Sequence, residues 1–202
     1  MHSQNWSDEY LERYRKEGDL LIIEISLEEP YNLYDDKDPS PLKVRDLKPI
    51  IEQYITNCIR EIPDKQNVRV DFYFYEISDS VEEKLLLKKS VIDFFIYRTK
   101  VRFLDFRYKI KYGLKSTAIG LCFLFFCIYI SSSYLNDENG IVEQFFLEGL
   151  SVLGWVSLWN PVQVFLYEIW PILTSAKILK RCGEIDYEFK SIDPLSEKRR
   201  YI

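Results

Sequence analysis

The chain has 202 residues, 29% of them charged, with a formal net charge of −5 and a mean hydropathy of −0.19. That length holds one modest domain plus a membrane segment, and that hydropathy excludes a chain lying mostly in lipid. The acidic balance excludes a general nucleic-acid binder, which would be basic, and leaves only local basic clusters to meet phosphates.

Residues 1–18 are polar and lack the apolar core of a secretory signal. A short helix is expected over residues 6–16, capped by Ser7 or Asp8 and stopped at Gly18. Residues 20–27 (LLIIEISL) form a β-branched apolar run, the first expected strand. Residues 28–41 (EEPYNLYDDKDPSP) hold three prolines and an aspartate cluster, and read as a loop. Asp35, Asp36 and Asp38 are the residue types that ligate a hard cation, but the glycine and distal glutamate of an EF-hand loop are missing. A solvated turn ahead of Pro39 is the plainer reading, and no metal or cofactor is assigned.

A helix is expected over residues 47–62, with Asp46 as N-cap and Pro49 in the first turn, where its missing N–H costs nothing. Leu47, Ile50, Ile51, Tyr54, Ile55, Cys58 and Ile59 repeat at three and four residues and give it one apolar face. Residues 68–77 alternate Val68, Val70, Phe72 and Phe74 with polar neighbours, as a half-buried strand does. Strand, helix, strand in this order suggests a parallel pair. Residues 184–192 alternate in the same way through Ile185, Tyr187 and Phe189, and are expected to return to that sheet as a third strand.

Ser80 with Glu83 makes a capping-box pattern opening a long helix. Residues 106–112 (FRYKIKY) also alternate as a strand would. Helix is preferred, because this segment feeds directly into residues 116–136 (STAIGLCFLFFCIYISSSYLN). That stretch has 21 residues and no charge, enough for a helix to cross roughly 30 Å of hydrocarbon. Residues 98–115, just before it, hold seven bases and one acid, Asp105; after it come Asp137, Glu138 and Glu143. Positive charge collects on the cytoplasmic side, so the N-terminal part is expected in the cytoplasm. Residues 141–159 form a second apolar stretch that returns, and Lys177, Lys180 and Arg181 put the C-terminus inside as well.

Asn160 and Pro161 have N-cap and first-turn chemistry, so the second helix is expected to break there. Residues 161–181 would then lie along the inner leaflet, broken at Pro171. The alternative is a longer spanning helix kinked at Pro161. Arg98, Arg102, Arg107, Lys109, Lys111 and Lys115 are expected at anionic lipid headgroups, with Trp159 and Trp170 at the same depth.

The run EGLSVLGWVSLWNPVQVFLYEIWPI, together with EISLEEPYNLYDDKDPSPLKVRDLKP earlier, resembles a widespread family of uncharacterised prokaryotic inner-membrane proteins. That resemblance implies a small cytosolic domain and a two-helix hairpin, and no catalytic residues. The organisation expected is α+β: a cytosolic βαβ-type domain of two or three strands (residues 1–113), a two-pass hairpin (114–160), the interfacial helix (161–181) and a cytosolic tail (182–202).

Glu148 falls inside the second span, where a carboxylate serves ion coordination or subunit pairing unless it reaches water at the interface. Ser151, Gly154 and Ser157 make a small-residue stripe on that helix, with Gly120 on the first; such surfaces let helices approach closely. The contact is either within the hairpin or between copies, with Gly154 expected at the closest approach between copies. The single histidine, His2, supports no Ser/His or Cys/His system. The four cysteines have no zinc spacing. The expected function is a non-enzymatic, homo-oligomeric plasma-membrane protein. The alternative is a ligand-responsive membrane effector or pore, and a membrane-anchored metal-dependent enzyme stands third.

Overall fold

A computed structural model describes residues 11–134 and 140–192. The fold is mixed α+β, with a four-stranded sheet and long helices. In order it runs β1 (Arg15–Glu17), β2 (Leu20–Leu27), α1 (Pro49–Glu61), β3 (Asn67–Phe74), α2 (Val81–Tyr134), α3 (Ile141–Val156), α4 (Trp159–Gln163), α5 (Ile169–Glu184) and β4 (Asp186–Ser191). Contacts divide it into two compact units: residues 11–100 with 177–192, and residues 101–176.

In the first unit the strand order is β1-β2-β3-β4. β2 pairs parallel to β3, and β3 parallel to β4. The period-two pattern sends Leu21, Ile23, Val70, Phe72, Tyr187 and Phe189 to one face, where they join the core. Ile51, Ile55, Cys58 and Ile59 of α1 and Leu87, Val91 and Phe95 of α2 complete that core. The Phe72 ring stacks on Phe189 with centroids 5.2 Å apart and on Tyr187 at 6.3 Å. The returning tail is therefore a full member of the core.

Two expectations are corrected, and the preference for helix before the first apolar stretch holds. Residues 15–17 are strand, not the end of a helix; pairing with β2 (Arg15↔Ile22, Glu17↔Leu20) overrides local helix preference. The two-residue connection has Gly18 at φ +63°, the glycine-first arrangement of a type II′ hairpin. The earlier residues of that expected helix, 6–10, lie outside the described residues. Asp46 does not cap α1: an isolated bridge between Tyr34 and Leu47 keeps the chain extended, and the helix starts at Pro49 with Lys48 as N-cap. Residues 101–112 are helix within α2, which is 54 residues long.

Arg98 is held by Glu52 of α1 through two bonds, 2.9 and 3.0 Å. This arginine, expected at lipid headgroups, braces the domain through a fork-to-fork ion pair. Lys177 pairs with Asp64, and Arg181 donates to four backbone carbonyls at and just after the end of α1, those of Ile59, Ile62, Pro63 and Gln66.

In the second unit, α3 and the segment after it run antiparallel to α2. Ser131 Oγ lies 3.5 Å from the Leu147 carbonyl at one end. Near the other, a Cβ at Gly113 would lie 3.2 Å from Val164. The helix break is at Ser157 and Leu158, one turn before the expected Asn160 and Pro161. Pro161 has no N–H for the Ser157 carbonyl four residues back, so the ladder fails there. Asn160 turns its amide to Ser116 Oγ at 3.0 Å instead of capping. Contact with α2 continues beyond the break, the packing of a kinked helix, and Pro171 lies inside α5 and does not break it. A π-helical turn over Val164–Glu168 precedes it, and such turns relieve the clash of a proline ring with the carbonyl four residues back.

Two helical stretches, Val81–Ser133 within α2 and Ile141–Glu184 running from α3 to α5, are long and apolar enough to cross a membrane. Only 22% and 11% of their apolar windows are buried within the chain. The hydroxyls of Thr117, Ser133 and Ser157 bond carbonyls three or four residues back on their own helix, which satisfies them without water.

Candidate functional site

Two grooves open beside the loop between β2 and α1. The first, about 690 Å³, has Tyr31, Tyr34 and Tyr75 in its wall and Glu29, Glu76 and Glu83 around it. The second, about 660 Å³, receives Lys43 and Arg45 from the loop and Lys100 from α2. Phe94 and Tyr97 supply its aromatic surface, and the carboxylates Asp38, Asp46 and Asp93 also line it.

The grooves share a wall. Ser90 Oγ donates to the Leu87 carbonyl at 2.8 Å, so its 2.5 Å bond with Tyr34 must have the tyrosine hydroxyl as donor. The Arg45 guanidinium lies over the Tyr31 ring, 5.2 Å from its centroid. Arg45 Nε is shut off from solvent and has no hydrogen-bond partner.

The aspartate cluster is turn structure. Asp38 accepts the Ser40 N–H at 2.9 Å and the Asp46 N–H at 2.8 Å, and the Asp46 bond holds its carboxyl below the usual range. Asp35 accepts from the Lys37 N–H, and Asp36 pairs with Lys48. Among the described residues no group of His, Cys, Asp and Glu is arranged to hold a metal ion. Burial and the Asp38 carboxylate push Asp46 up.

The sheet's opposite face carries a charge lattice centred on Asp71, which has no exposed surface. Arg69 donates to it at 2.7 Å and Lys190 at 2.5 Å. Burial pushes its carboxyl up, but these bonds outweigh that and leave it below its ordinary value.

The hairpin uses its small residues internally. A Cβ at Gly154 would stand 3.0 Å from Leu124 and 3.1 Å from Cys127, and one at Gly120 would stand 3.0 Å from the Ser157 carbonyl oxygen. Gly154 therefore marks the approach to α2 of the same chain, the within-hairpin packing that stood as the alternative to a contact between copies. Ser151 is half-buried on the same helix. Glu148 is exposed and, among the described residues, has neither a hydrogen-bond nor an ion-pair partner. Lys109 pairs with Glu168 at 2.5 Å and Arg102 with Asp105 at 3.4 Å. Arg107, Lys111 and Lys115 form no ion pair among the described residues. Trp159 and Trp170 are exposed.

Arg45 and Gly113 were missed in the sequence. The only trace of the first is a Lys-Val-Arg triplet after Pro41, and of the second a lone glycine among basic residues. Comparisons with known protein families, with curated proteins and with solved structures found no match, so the functional argument rests on the chain's own chemistry.

Proposed function

We propose that the chain is a non-enzymatic two-span protein of the plasma membrane, whose hairpin anchors a cytosolic α+β domain and self-associates. One observation carries the spanning topology. The chain leaves the first unit after Lys100 and rejoins it at Lys177, so any crossing of lipid in between occurs an even number of times. Two apolar helices meet that requirement. The basic run before the first span favours the cytoplasm for both ends.

Self-association rests on what the hairpin leaves outward. With Gly120 and Gly154 facing inside, the free polar feature is Glu148, on a helix whose Phe145, Phe146 and Trp155 are exposed. A lone carboxylate in hydrocarbon is costly, and pairing with another copy lowers that cost. Closed symmetry about the membrane normal follows for identical chains. The test is particle mass in nanodiscs: an oligomer for the native chain and smaller particles for Glu148→Leu. A native chain that stays monomeric contradicts the assembly.

The second reading, a ligand-responsive membrane effector, is favoured by the 660 Å³ groove beside the loop, in whose wall the Arg45 Nε has no hydrogen-bond partner among the described residues.

A further inference from the structure

The first groove, about 690 Å³, lies at the carboxyl ends of the parallel strands β2 and β3. Open α/β sheets gather ligands in the crevice outside those strand ends. Glu29 comes from the chain just after β2, Tyr75 and Glu76 from the chain just after β3, and Glu83 from the first turn of α2. Tyr31 and Tyr34 complete the aromatic wall, and Leu42 and Leu86 add apolar surface. Among the described residues no Lys, Arg or His lines this groove, and its three glutamates make no ion pair. Arg45 touches the wall from outside, its guanidinium over the Tyr31 ring; one cation against three carboxylates leaves the groove acidic. Aromatic faces beside carboxylates suit a cation on an apolar stem.

The chain's own sequence supplies such cations. Past Ile192, the last described residue, it reads DPLSEKRRYI, with Lys198, Arg199 and Arg200 in succession. The Ile192 N–H donates to the Phe74 carbonyl at 2.8 Å. The chain therefore departs next to Tyr75, which is part of the groove wall. Six further residues reach roughly 20 Å when extended, more than the width of a cavity of that volume. We propose that the groove is the docking site of the chain's own segment 198–200, its bases set against Tyr31 and Tyr75 and paired with Glu29, Glu76 and Glu83. Asp193 and Glu197 cut the net charge of residues 193–202 to one positive, so selection rests on the consecutive bases. A guanidinium stacks on rings and forks to carboxylates, and Tyr201 and Ile202 bring apolar surface for Leu42 and Leu86. The acids on the sheet's opposite face do not compete, since they already pair with Arg15, Arg69 and Lys190. A short tether also holds the segment at a roughly millimolar effective concentration. This docking goes beyond the anchoring and self-association proposed above and depends on neither.

The full chain is purified in an uncharged detergent, where no anionic lipid competes for the bases. A full-length variant with Lys198→Gln, Arg199→Gln and Arg200→Gln leaves the groove open. A peptide of residues 193–202 is titrated calorimetrically into the variant and into the native chain. The variant binds it saturably, and the native chain binds on the order of tenfold more weakly, because its own segment is in place. A peptide carrying the same three glutamines binds neither. Adding Glu29→Lys and Glu76→Lys to the variant abolishes binding of the native peptide. It also admits a peptide with Lys198→Glu, Arg199→Glu and Arg200→Glu, a gain that misfolding cannot imitate. Both glutamates are exposed, so these changes spare the core. A carbodiimide, which joins amines to carboxylates, links Lys198 of the native protein to Glu29, Glu76 or Glu83 within one chain. The proposal is overturned if the peptide does not saturate the variant, or if the charge-reversed pair does not exchange partners. It is also overturned if native chain and variant bind the peptide equally, which assigns the groove to a base from another molecule, or if the carbodiimide links lie between chains.

Discussion

Arg181 donates to the carbonyl oxygen of Ile62 at 2.7 Å, joining residues 119 positions apart. The same guanidinium reaches Pro63 at 2.7 Å, Gln66 at 3.0 Å and Ile59 at 3.3 Å. Pro63 ends α1 and leaves those carbonyls without helical partners. A side chain from beyond the hairpin thus closes the end of a helix that precedes it.

Arg181→Lys is not conservative here, because an ammonium cannot fork across four acceptors. It should destabilise the protein by about 1.5–3 kcal/mol, the scale of lost charged hydrogen bonds. Chemical unfolding followed by far-UV circular dichroism checks this.

The tail strand makes a second prediction. Tyr187 is buried, stacks on Phe72, and donates its hydroxyl to the Cys182 carbonyl at 2.6 Å. Tyr187→Phe should cost about 1 kcal/mol and Tyr187→Ala about 3–5 kcal/mol. Removing residues 183–202 should destabilise the domain further. A truncated chain that melts like the whole one would contradict the place of β4 in the core.

Asp71 predicts a pH dependence. Its folded pKa is lowered by Arg69 and Lys190, so its contribution is whole above the unfolded value, roughly 4. It is lost as pH falls through the lower folded value. Asp71→Asn should therefore be less stable than the native chain at neutral pH, and the gap should narrow below about pH 4. Unfolding midpoints of both proteins from pH 7 to pH 2 measure it.

Packing in the hairpin gives a matched pair. Gly120→Ala puts a methyl 3.0 Å from a backbone carbonyl oxygen of residue 157, while Gly149→Ala meets nothing within 4 Å. The first should lose about 1–3 kcal/mol, and the second should gain up to about 1 kcal/mol of helix propensity. Thermal unfolding in detergent separates them.

Much of the fold was legible because period and burial coincide. Leu20–Leu27 is a strand over the residues expected, and Tyr187 and Phe189 advertised β4 through strict alternation. What failed depended on partners distant in sequence. Arg15–Glu17 becomes strand only because Leu20–Ile22 is there to pair with it. Arg181 read only as one more base on the cytoplasmic side, and nothing local announced that it would close the end of α1. The second groove was invisible for the same reason, since Arg45 and Lys100 lie 55 positions apart and meet only in the fold.

The proposed topology is tested most directly by labelling single cysteines in intact cells, with the chain's own four cysteines replaced. Gly140→Cys stands at the start of α3, between the two apolar helices, and Ser191→Cys at the exposed end of β4. A membrane-impermeant maleimide should modify residue 140 in intact cells and residue 191 only after the membrane is opened. Modification of residue 191 from outside, or of both residues from the same side, would contradict a two-span hairpin with its domain in the cytoplasm.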